Sequence, residues 1–241
     1  GILGFKGGKK FWGGIGQTLA DAIKLLTKED ILPKDSDKFL MILAPFIIFS
    51  GAFLTFIGLP FAQNIVISDF NIGLFYIVAM SSVGVIGIIL AGWSSSNKWS
   101  LYGAMRAAAQ IISYEIPIGL SLLLVVIVSG SLHLGDIVQW QETNRWFIFH
   151  SPFAFLAFFI YFISTVAETN RTPFDIPEAE SELVAGWMTE YSGFRWALFF
   201  LSEYANMLIV CIVASIVFLG GWLSPLHIIN IFPESWYILD G

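Results

Sequence analysis

The sequence has 241 residues, of which 56% are hydrophobic and only 12% are charged, and its formal net charge is −6. A soluble domain carries about a quarter charged residues, so this composition excludes an ordinary soluble protein. The net charge itself says little about soluble partners, because the acids are clustered on one side, and we expect no nucleic-acid partner.

The first 38 residues hold seven of the twelve lysines and arginines and form a predicted cytoplasmic-side segment. Within 15–32, apolar residues recur at the spacing of one helix face: Leu19, Ala22, Ile23 and Leu26. Lysines on the polar side favour a helix lying along the membrane interface. Two interpretations remain open, a surface connector or a helix that borders the access route for an amphiphilic substrate.

Five uncharged runs follow, each long enough for the ~20 apolar residues that cross a bilayer as a helix. They cover 39–68, 70–97, 116–135, 146–167 and 204–233. We therefore predict an all-α polytopic membrane protein with about five transmembrane helices. The predicted helix bundle covers 39–222, with cytoplasmic-side loops at 94–114 and 168–195 and a non-cytoplasmic tail at 223–241.

The positions of lysine and arginine predict the orientation, because loops rich in these residues stay on the cytoplasmic side. Eleven of the twelve lie in the first 38 residues or in loops 94–114 and 168–195, and only Arg145 lies in an alternate loop. This split predicts an odd number of spans, with the N-terminal segment and both of these loops on the cytoplasmic side.

In the first of these loops, 101–110 is strongly helix-forming, and Arg106 and Glu115 bracket the start of the next span. Pro117 can serve a helix N-terminus or kink a helix that began earlier. Glu115 is thus expected near the membrane boundary or slightly inside it. It is either a boundary carboxylate facing solvent or a buried group that titrates.

Residues 168–182 contain five carboxylates beside two apolar runs. Pro173 and Pro177 should keep the residues between them extended or in a turn, and a helix is expected to restart at Pro177. Three of the acids then fall in or near its first turn, namely Glu178, Glu180 and Glu182. They form either a solvated acidic face that suits the helix dipole or, if partly buried, a set that titrates together.

Two further acids lie against or within apolar runs. Glu168 ends one predicted span, and Glu203 interrupts the next. A carboxylate at the centre of a membrane helix costs roughly 2.5–3.5 kcal/mol, so Glu203 is expected to face polar groups rather than lipid. Its polar neighbours in sequence suit a proton path: Ser202, Tyr204 and Asn206.

The sequence offers no set of ligands for a cofactor of its own. All three histidines fall at or beyond the non-cytoplasmic ends of the predicted spans, whereas a haem between helices needs them inside. The single cysteine cannot form a thiolate cluster, and no nucleotide-binding motif is present. We expect no metal ligands and no catalytic residues in this chain alone.

Long runs of the sequence resemble one membrane-protein family. The runs are 91–98, 106–115, 168–186 and 189–207, together with 17–31. They are similar to the quinone-channel membrane subunit of respiratory complex I, the proton-translocating NADH:quinone oxidoreductase.

The resemblance implies a quinone tunnel at the junction with the peripheral arm and an acidic path that couples quinone reduction to proton pumping. Quinone is then a substrate, and NADH, FMN and the iron–sulfur clusters belong to partner subunits. The implied partners are the other complex I membrane subunits, the peripheral-arm subunits at the quinone site and the lipid bilayer. The implied proton-path residues are Glu115, Glu168, Glu178, Glu180, Glu182, Glu203 and Asp175. The implied tunnel or junction residues are Gln17, Asp21, Lys24, Arg106, Arg171, Phe174 and Arg195.

Two features depart from the family pattern. Gly7 to Trp12 occupies the region where the family usually has a Gly-Pro-Asn-Arg-type motif, so either the motif lies before Gly1 or Lys9 and Lys10 replace its arginine. The family also has helices before and after this region, and the chain is expected to be the middle part of a longer subunit.

Two other functional classes remain open. One is a homologous membrane subunit of a hydrogenase-linked or ferredoxin-linked complex, and the other is an ion-coupled transporter. Against a transporter, the sequence shows no internal repeat of the kind such folds often carry. The expected location is a bacterial plasma membrane, with a mitochondrial inner membrane as the alternative.

Overall fold

The computed structural model describes residues 15–63, 65–175 and 185–223. The helices in this part of the chain are α1 (Ile15–Thr27), α2 (Lys38–Thr55), α3 (Gly73–Ser94), α4 (Lys98–Ser129), α5 (Leu134–Thr143), α6 (Phe147–His150), α7 (Pro152–Glu168) and α8 (Gly193–Phe218). Short 3₁₀ turns lie at Phe56–Gly58 and Gly186–Met188. The described residues form no β-sheet, so the predicted all-α fold is confirmed.

Four of the helices, α2, α3, α4 and α8, are long and apolar enough to cross a membrane. The fourth predicted span, 146–167, gives a helix shorter than its uncharged run, because Ser151 is extended and Pro152 starts a new helix there. The resulting α7 is apolar but has 17 residues. At 1.5 Å per residue it spans about 25 Å, slightly less than a typical hydrocarbon core.

The five long helices pack in a cyclic order. Each of α2, α3, α4, α7 and α8 contacts the next, and α8 returns to α2. Close approach requires glycine between α3 and α4, since a Cβ atom on Gly92 would lie 2.2 Å from the Cβ of Ala104. Large apolar side chains such as Ile116, Ile127 and Phe153 point outward. This arrangement leaves an apolar outer surface, as a membrane-embedded bundle needs.

The five long helices alternate in direction, which brings the connections 28–37 and 95–97 and the described residues 169–175 and 185–192 together at one end of the bundle. The backbone N–H of Asp37 donates to the carbonyl of Ser94 at 3.1 Å, which joins the connection before α2 to the last residue of α3. Most of the described lysines and arginines lie at or near this end, which we call the basic end.

The predicted loop 94–114 is mostly helix, which corrects the sequence-based boundary. Asn97 caps α4 by accepting from the backbone N–H of Trp99 at 3.0 Å, and the helix then runs for 32 residues. The prediction stopped the span at charged residues, whereas the alanine-rich stretch after Lys98 carries the helix through them. Glu115 therefore lies in mid-helix, just before Pro117.

The amphipathic helix predicted over 15–32 is present but shorter, ending at Thr27. Ile23 and Leu26 on its predicted apolar face are 53% and 65% exposed. An exposed apolar stripe on a helix beside the basic end is typical of a helix that lies in the membrane interface.

At the opposite end, His133 lies between two carboxylates. Its Nε2 is 2.5 Å from Oδ1 of Asp69, and its Nδ1 is 3.1 Å from Oδ1 of Asp136. Burial acts to lower the pKa of His133, but the hydrogen bonds and charges of both carboxylates outweigh burial and raise the pKa above 6.5. This contact clamps the connection between α2 and α3 to the start of α5.

The clamp predicts a pH-dependent stability. The pKa of His133 is raised in the folded protein. The contribution of this residue to the free energy of unfolding is therefore fully present below the unfolded-state pKa of 6.5, and it is lost as the pH rises through the folded-state pKa. Between about pH 6 and pH 9, the thermal midpoint of the wild type is expected to fall more than that of His133→Gln. The measurement is thermal unfolding in detergent, with His150→Gln as the control. Equal pH dependence in wild type and His133→Gln would contradict the clamp.

Candidate functional site

Glu115 faces α3 and α7 from the middle of α4. The hydroxyl of Ser82 on α3 donates to Oε1 of Glu115. Glu168, the last residue of α7, lies close enough for its carboxylate to interact electrostatically with that of Glu115. Both acids are half-buried, and like charges repel more strongly where the dielectric constant is low. This pair is therefore sensitive to any change of charge nearby.

A second charged cluster joins the segment after α7 to α8. Nη2 of Arg171 is 2.7 Å from Oε1 of Glu203, as an ion pair rather than an aligned hydrogen bond. Nε of Arg171 lies 3.1 Å from Sδ of Met207, and its guanidinium stacks 5.2 Å from the ring of Tyr204. Asp175 is near enough to interact electrostatically with Glu203. Arg171 thus pairs with one of two neighbouring carboxylates.

Gln110 on α4 holds the start of the acidic segment, residues 168–182, against the bundle. Its Nε2 lies 2.8 Å from the carbonyl of Ala167, 3.0 Å from Oδ1 of Asn170 and 2.9 Å from the carbonyl of Phe174. An amide has two protons, so the three acceptors share them. The ring of Phe174 packs 5.5 Å from that of Tyr114, the residue before Glu115. A movement of this segment therefore reaches the surroundings of Glu115 directly.

Arg195 and Asp30 connect α8 to the chain that follows α1. Nε and Nη2 of Arg195 lie 2.7 Å and 2.5 Å from Oδ2 of Asp30. The Arg195 side chain is 7% exposed and that of Asp30 is 43% exposed. Beside this pair, Ser192 accepts from the backbone N–H of Ile31 at 3.1 Å and donates to the carbonyl of Glu29 at 3.4 Å. These contacts hold the end of α1 at the start of α8.

The short segment between the acidic residues and α8 packs tightly on α4. A Cβ atom on Gly103 would lie 2.8 Å from Cα of Gly186, so only glycine fits. The hydroxyl of Ser100 donates to the carbonyl of Trp187 at 3.1 Å. Burial raises the pKa of the Tyr191 hydroxyl, although its hydrogen bond and a nearby cation act the other way. This segment is part of the buried core at the basic end.

The predicted proton-path residues that the structure describes fall into the two charged clusters. Glu115 and Glu168 form one, and Asp175 and Glu203 form the other with Arg171, which was predicted as a junction residue. The remaining predicted acids lie outside the described residues: Glu178, Glu180 and Glu182. The expected helix start at Pro177 lies outside them as well.

The other predicted tunnel or junction residues are more dispersed. Asp21 and Lys24 are exposed on α1, and the side chain of Gln17 is outside the described part. Arg106 is half-buried, and its guanidinium lies 4.9 Å from the ring of Tyr102. Lys9 and Lys10 also lie outside the described residues.

Sequence reasoning missed three residues that organise the site: Ser82, Gln110 and Asp30. Ser82 has one weak signal, since it stands with Ser81 in the middle of an apolar run. Gln110 and Asp30 look like ordinary polar residues, because their partners are far away in the sequence. Among the residues that the structure describes, no group of three potential ligands is placed to hold a metal ion.

A family model and several known proteins that resemble this chain all indicate the same family. A family model described as NADH dehydrogenase matches residues 6–239. The NADH-quinone oxidoreductase subunit designated H in Chlorobaculum tepidum is 54% identical over 220 residues, which cover 90% of this chain and 61% of that protein. The subunit of the same name in Bacteroides fragilis is 55% identical over 222 residues, covering 91% and 61% respectively.

A third relative is similarly close. The NADH-quinone oxidoreductase subunit of the same name in Geobacillus sp. is 52% identical over 227 residues, which cover 94% of this chain and 67% of that protein. The chain spans about 61% of the length of the first two relatives.

Proposed function

The chain belongs to the NADH dehydrogenase family, and from this premise we propose that it is a membrane subunit of a proton-translocating NADH:quinone oxidoreductase. In this proposal it forms much of the quinone tunnel at the junction with the peripheral arm. It also carries the acidic path that couples quinone reduction to proton pumping. The chain itself holds no electron carrier.

The observation that carries the proposal is the placement of charge inside an apolar bundle. Carboxylates within membrane helices are rare and usually mark proton or substrate pathways. Glu115, Glu168 and Glu203 lie in or at the end of three different apolar helices, and each has another charged group nearby. An ordinary lipid-facing bundle has no need of such groups.

The proposed mechanism begins with the charge created when quinone is reduced. Reduction creates negative charge and a demand for protons, and nearby carboxylates respond by changing protonation and position. The segment 168–182 acts as the two-state element that carries this change to Glu115 and Glu203. The hydrogen bond from Gln110 to the carbonyl of Phe174 connects this segment to α4, and the ion pair between Arg171 and Glu203 connects it to α8.

The proposed partners follow from the same family. NADH, FMN and the iron–sulfur clusters belong to peripheral-arm subunits, and quinone reaches the chain from the bilayer. The exposed apolar face of α1 suits a helix that borders this access route. The proposed location is a bacterial plasma membrane, in line with the bacterial relatives.

Two alternatives make different predictions. A hydrogenase-linked or ferredoxin-linked complex uses a similar subunit, but the matched relatives carry names that refer to NADH and quinone. An ion-coupled transporter acts alone, and it should be active when purified without partners.

The test uses the full-length subunit in its native membranes. Deleting its gene is expected to abolish NADH oxidation with a short-chain quinone, and a tagged copy is expected to restore it. The tagged protein should purify with an assembly that has flavin and iron–sulfur absorbance. Purification as a single active protein, or restored membranes that lack NADH:quinone activity, would contradict the proposal.

A further inference from the structure

The hydrogen bond between Ser82 and Glu115 assigns a role to a residue that lies outside the acidic path itself. Ser82 is on α3 and Glu115 is on α4, and both side chains are half-buried between the helices. The bond joins two helices, so it fixes the carboxyl of Glu115 relative to a neighbouring element and not only to its own helix.

A serine hydroxyl can serve both protonation states of a carboxyl group. It donates one hydrogen bond and accepts others, whereas a carboxylate only accepts and a carboxylic acid also donates. When Glu115 is ionised, Ser82 donates to it. When Glu115 is protonated, Ser82 can accept the acid proton and turn its own proton to the carbonyl of Val78, which lies 3.1 Å from the Ser82 oxygen.

The charge near Glu115 makes the hydroxyl of Ser82 important. Glu168 on α7 interacts electrostatically with Glu115, and its carboxylate carries the same sign of charge. In a low-dielectric site, a carboxyl group without a hydrogen-bond partner is energetically unfavourable whether it is ionised or protonated. A single hydroxyl that turns about its Cβ–Oγ bond satisfies Glu115 without any movement of the helices.

We propose that Ser82 is a positioning residue that holds the Glu115 carboxyl in place in both of its protonation states during proton transfer. This inference rests on the proposed function, because it assumes that Glu115 changes protonation during turnover. Ser82 remains a hydrogen-bonding partner throughout and does not itself end in a different chemical state.

Ser81 offers a matched control on the same helix. Its hydroxyl donates to the same carbonyl of Val78, at 2.8 Å, whereas among the described residues the hydrogen bond to Glu115 comes from Ser82. Ser81→Ala therefore removes a hydroxyl of the same type, one residue away, without touching the acid.

The experiment compares Ser82→Ala, Ser82→Thr and Ser81→Ala in the assembled complex, in both wild-type and Glu115→Gln backgrounds. Vesicles containing the complex give the protons moved per NADH oxidised. Ser82→Ala removes a hydrogen bond to a charged group and is expected to lower coupled proton movement roughly tenfold or more. Ser82→Thr keeps the hydroxyl and is expected to restore most of it, and Ser81→Ala is expected to match wild type.

The double variant separates this role from general packing. Once Glu115 is Gln, Ser82→Ala is expected to have no further effect on coupled pumping. Normal pumping in Ser82→Ala, or an equal loss in Ser81→Ala, overturns the inference while leaving the proposed function intact. Normal pumping in Glu115→Gln itself contradicts the part of the proposed function that uses Glu115, and the Ser82 inference fails with it.

Discussion

Replacing Asp30 with Asn is expected to lower the yield and thermal midpoint of the assembled complex more than replacing its partner Arg195 with Met does. Arg195 is 7% exposed, so Asp30→Asn leaves a buried guanidinium without its counter-charge, which costs about 3–5 kcal/mol. Asp30 is 43% exposed, so after Arg195→Met water solvates its carboxylate, and the methionine keeps much of the apolar packing.

The state of Arg195 in the wild type adds to this asymmetry. Its Nη1 atom is already buried without a hydrogen-bond partner among the described residues. Removing the Asp30 carboxylate therefore leaves the guanidinium with little compensation. The measurement is the yield and thermal midpoint of assembled complex, with Asp35→Asn as the control, since Asp35 is an exposed acid in the same connection. A larger loss in Arg195→Met than in Asp30→Asn would contradict the geometry.

Replacing Arg171 with Met is expected to reduce quinone-dependent NADH oxidation about ten- to hundredfold in the assembled complex. The change leaves Glu203 without its ion-pair partner while the like charge of Asp175 remains nearby. It also removes the stacking of the guanidinium on Tyr204. Arg145→Met, at the opposite end of the bundle, is the charge-matched control and should behave like wild type.

A double replacement tests the same ion pair in a second way. Arg171→Met together with Glu203→Gln removes both charges, and such neutral pairs often recover stability. We expect the double variant to assemble better than Arg171→Met alone, yet to pump poorly because Glu203 no longer titrates. If the double variant assembled worse than both single variants, the pair would not be the interaction that the structure describes.

The overall fold was largely predictable because it depends on local patterns. Uncharged runs marked the five long helices, and lysine and arginine positions predicted which connections share an end. The start of α4 was not predicted. The charges at Arg106 and Glu115 were interpreted as the boundary of a span, whereas helix propensity and tertiary packing continue the helix past both residues. The split before α7 depended on Ser151 and Pro152, whose local effect was not considered.

The site was predictable only in part. Acids in apolar runs stand out in a sequence, so Glu168 and Glu203 were singled out from the free-energy cost of placing a carboxylate in a membrane helix. The contacts of Ser82 with Glu115 and of Gln110 with the chain after α7 were not predicted, because each joins residues that are far apart in the sequence. Asp30 and Arg195 are 165 positions apart, and no local pattern joins them. The three acids Glu178, Glu180 and Glu182 stay predictions, since the structure does not describe them.

The central claim is that half-buried acids on the membrane helices couple quinone reduction to proton movement. The most direct test is the ratio of protons moved to NADH oxidised in vesicles containing intact complex, comparing wild type with Glu168→Gln and Glu142→Gln. Glu142 is an exposed acid at the opposite end and serves as the control. We expect Glu168→Gln to lower this ratio at least severalfold, while Glu142→Gln keeps the wild-type value. A wild-type ratio and rate in Glu168→Gln would contradict the claim.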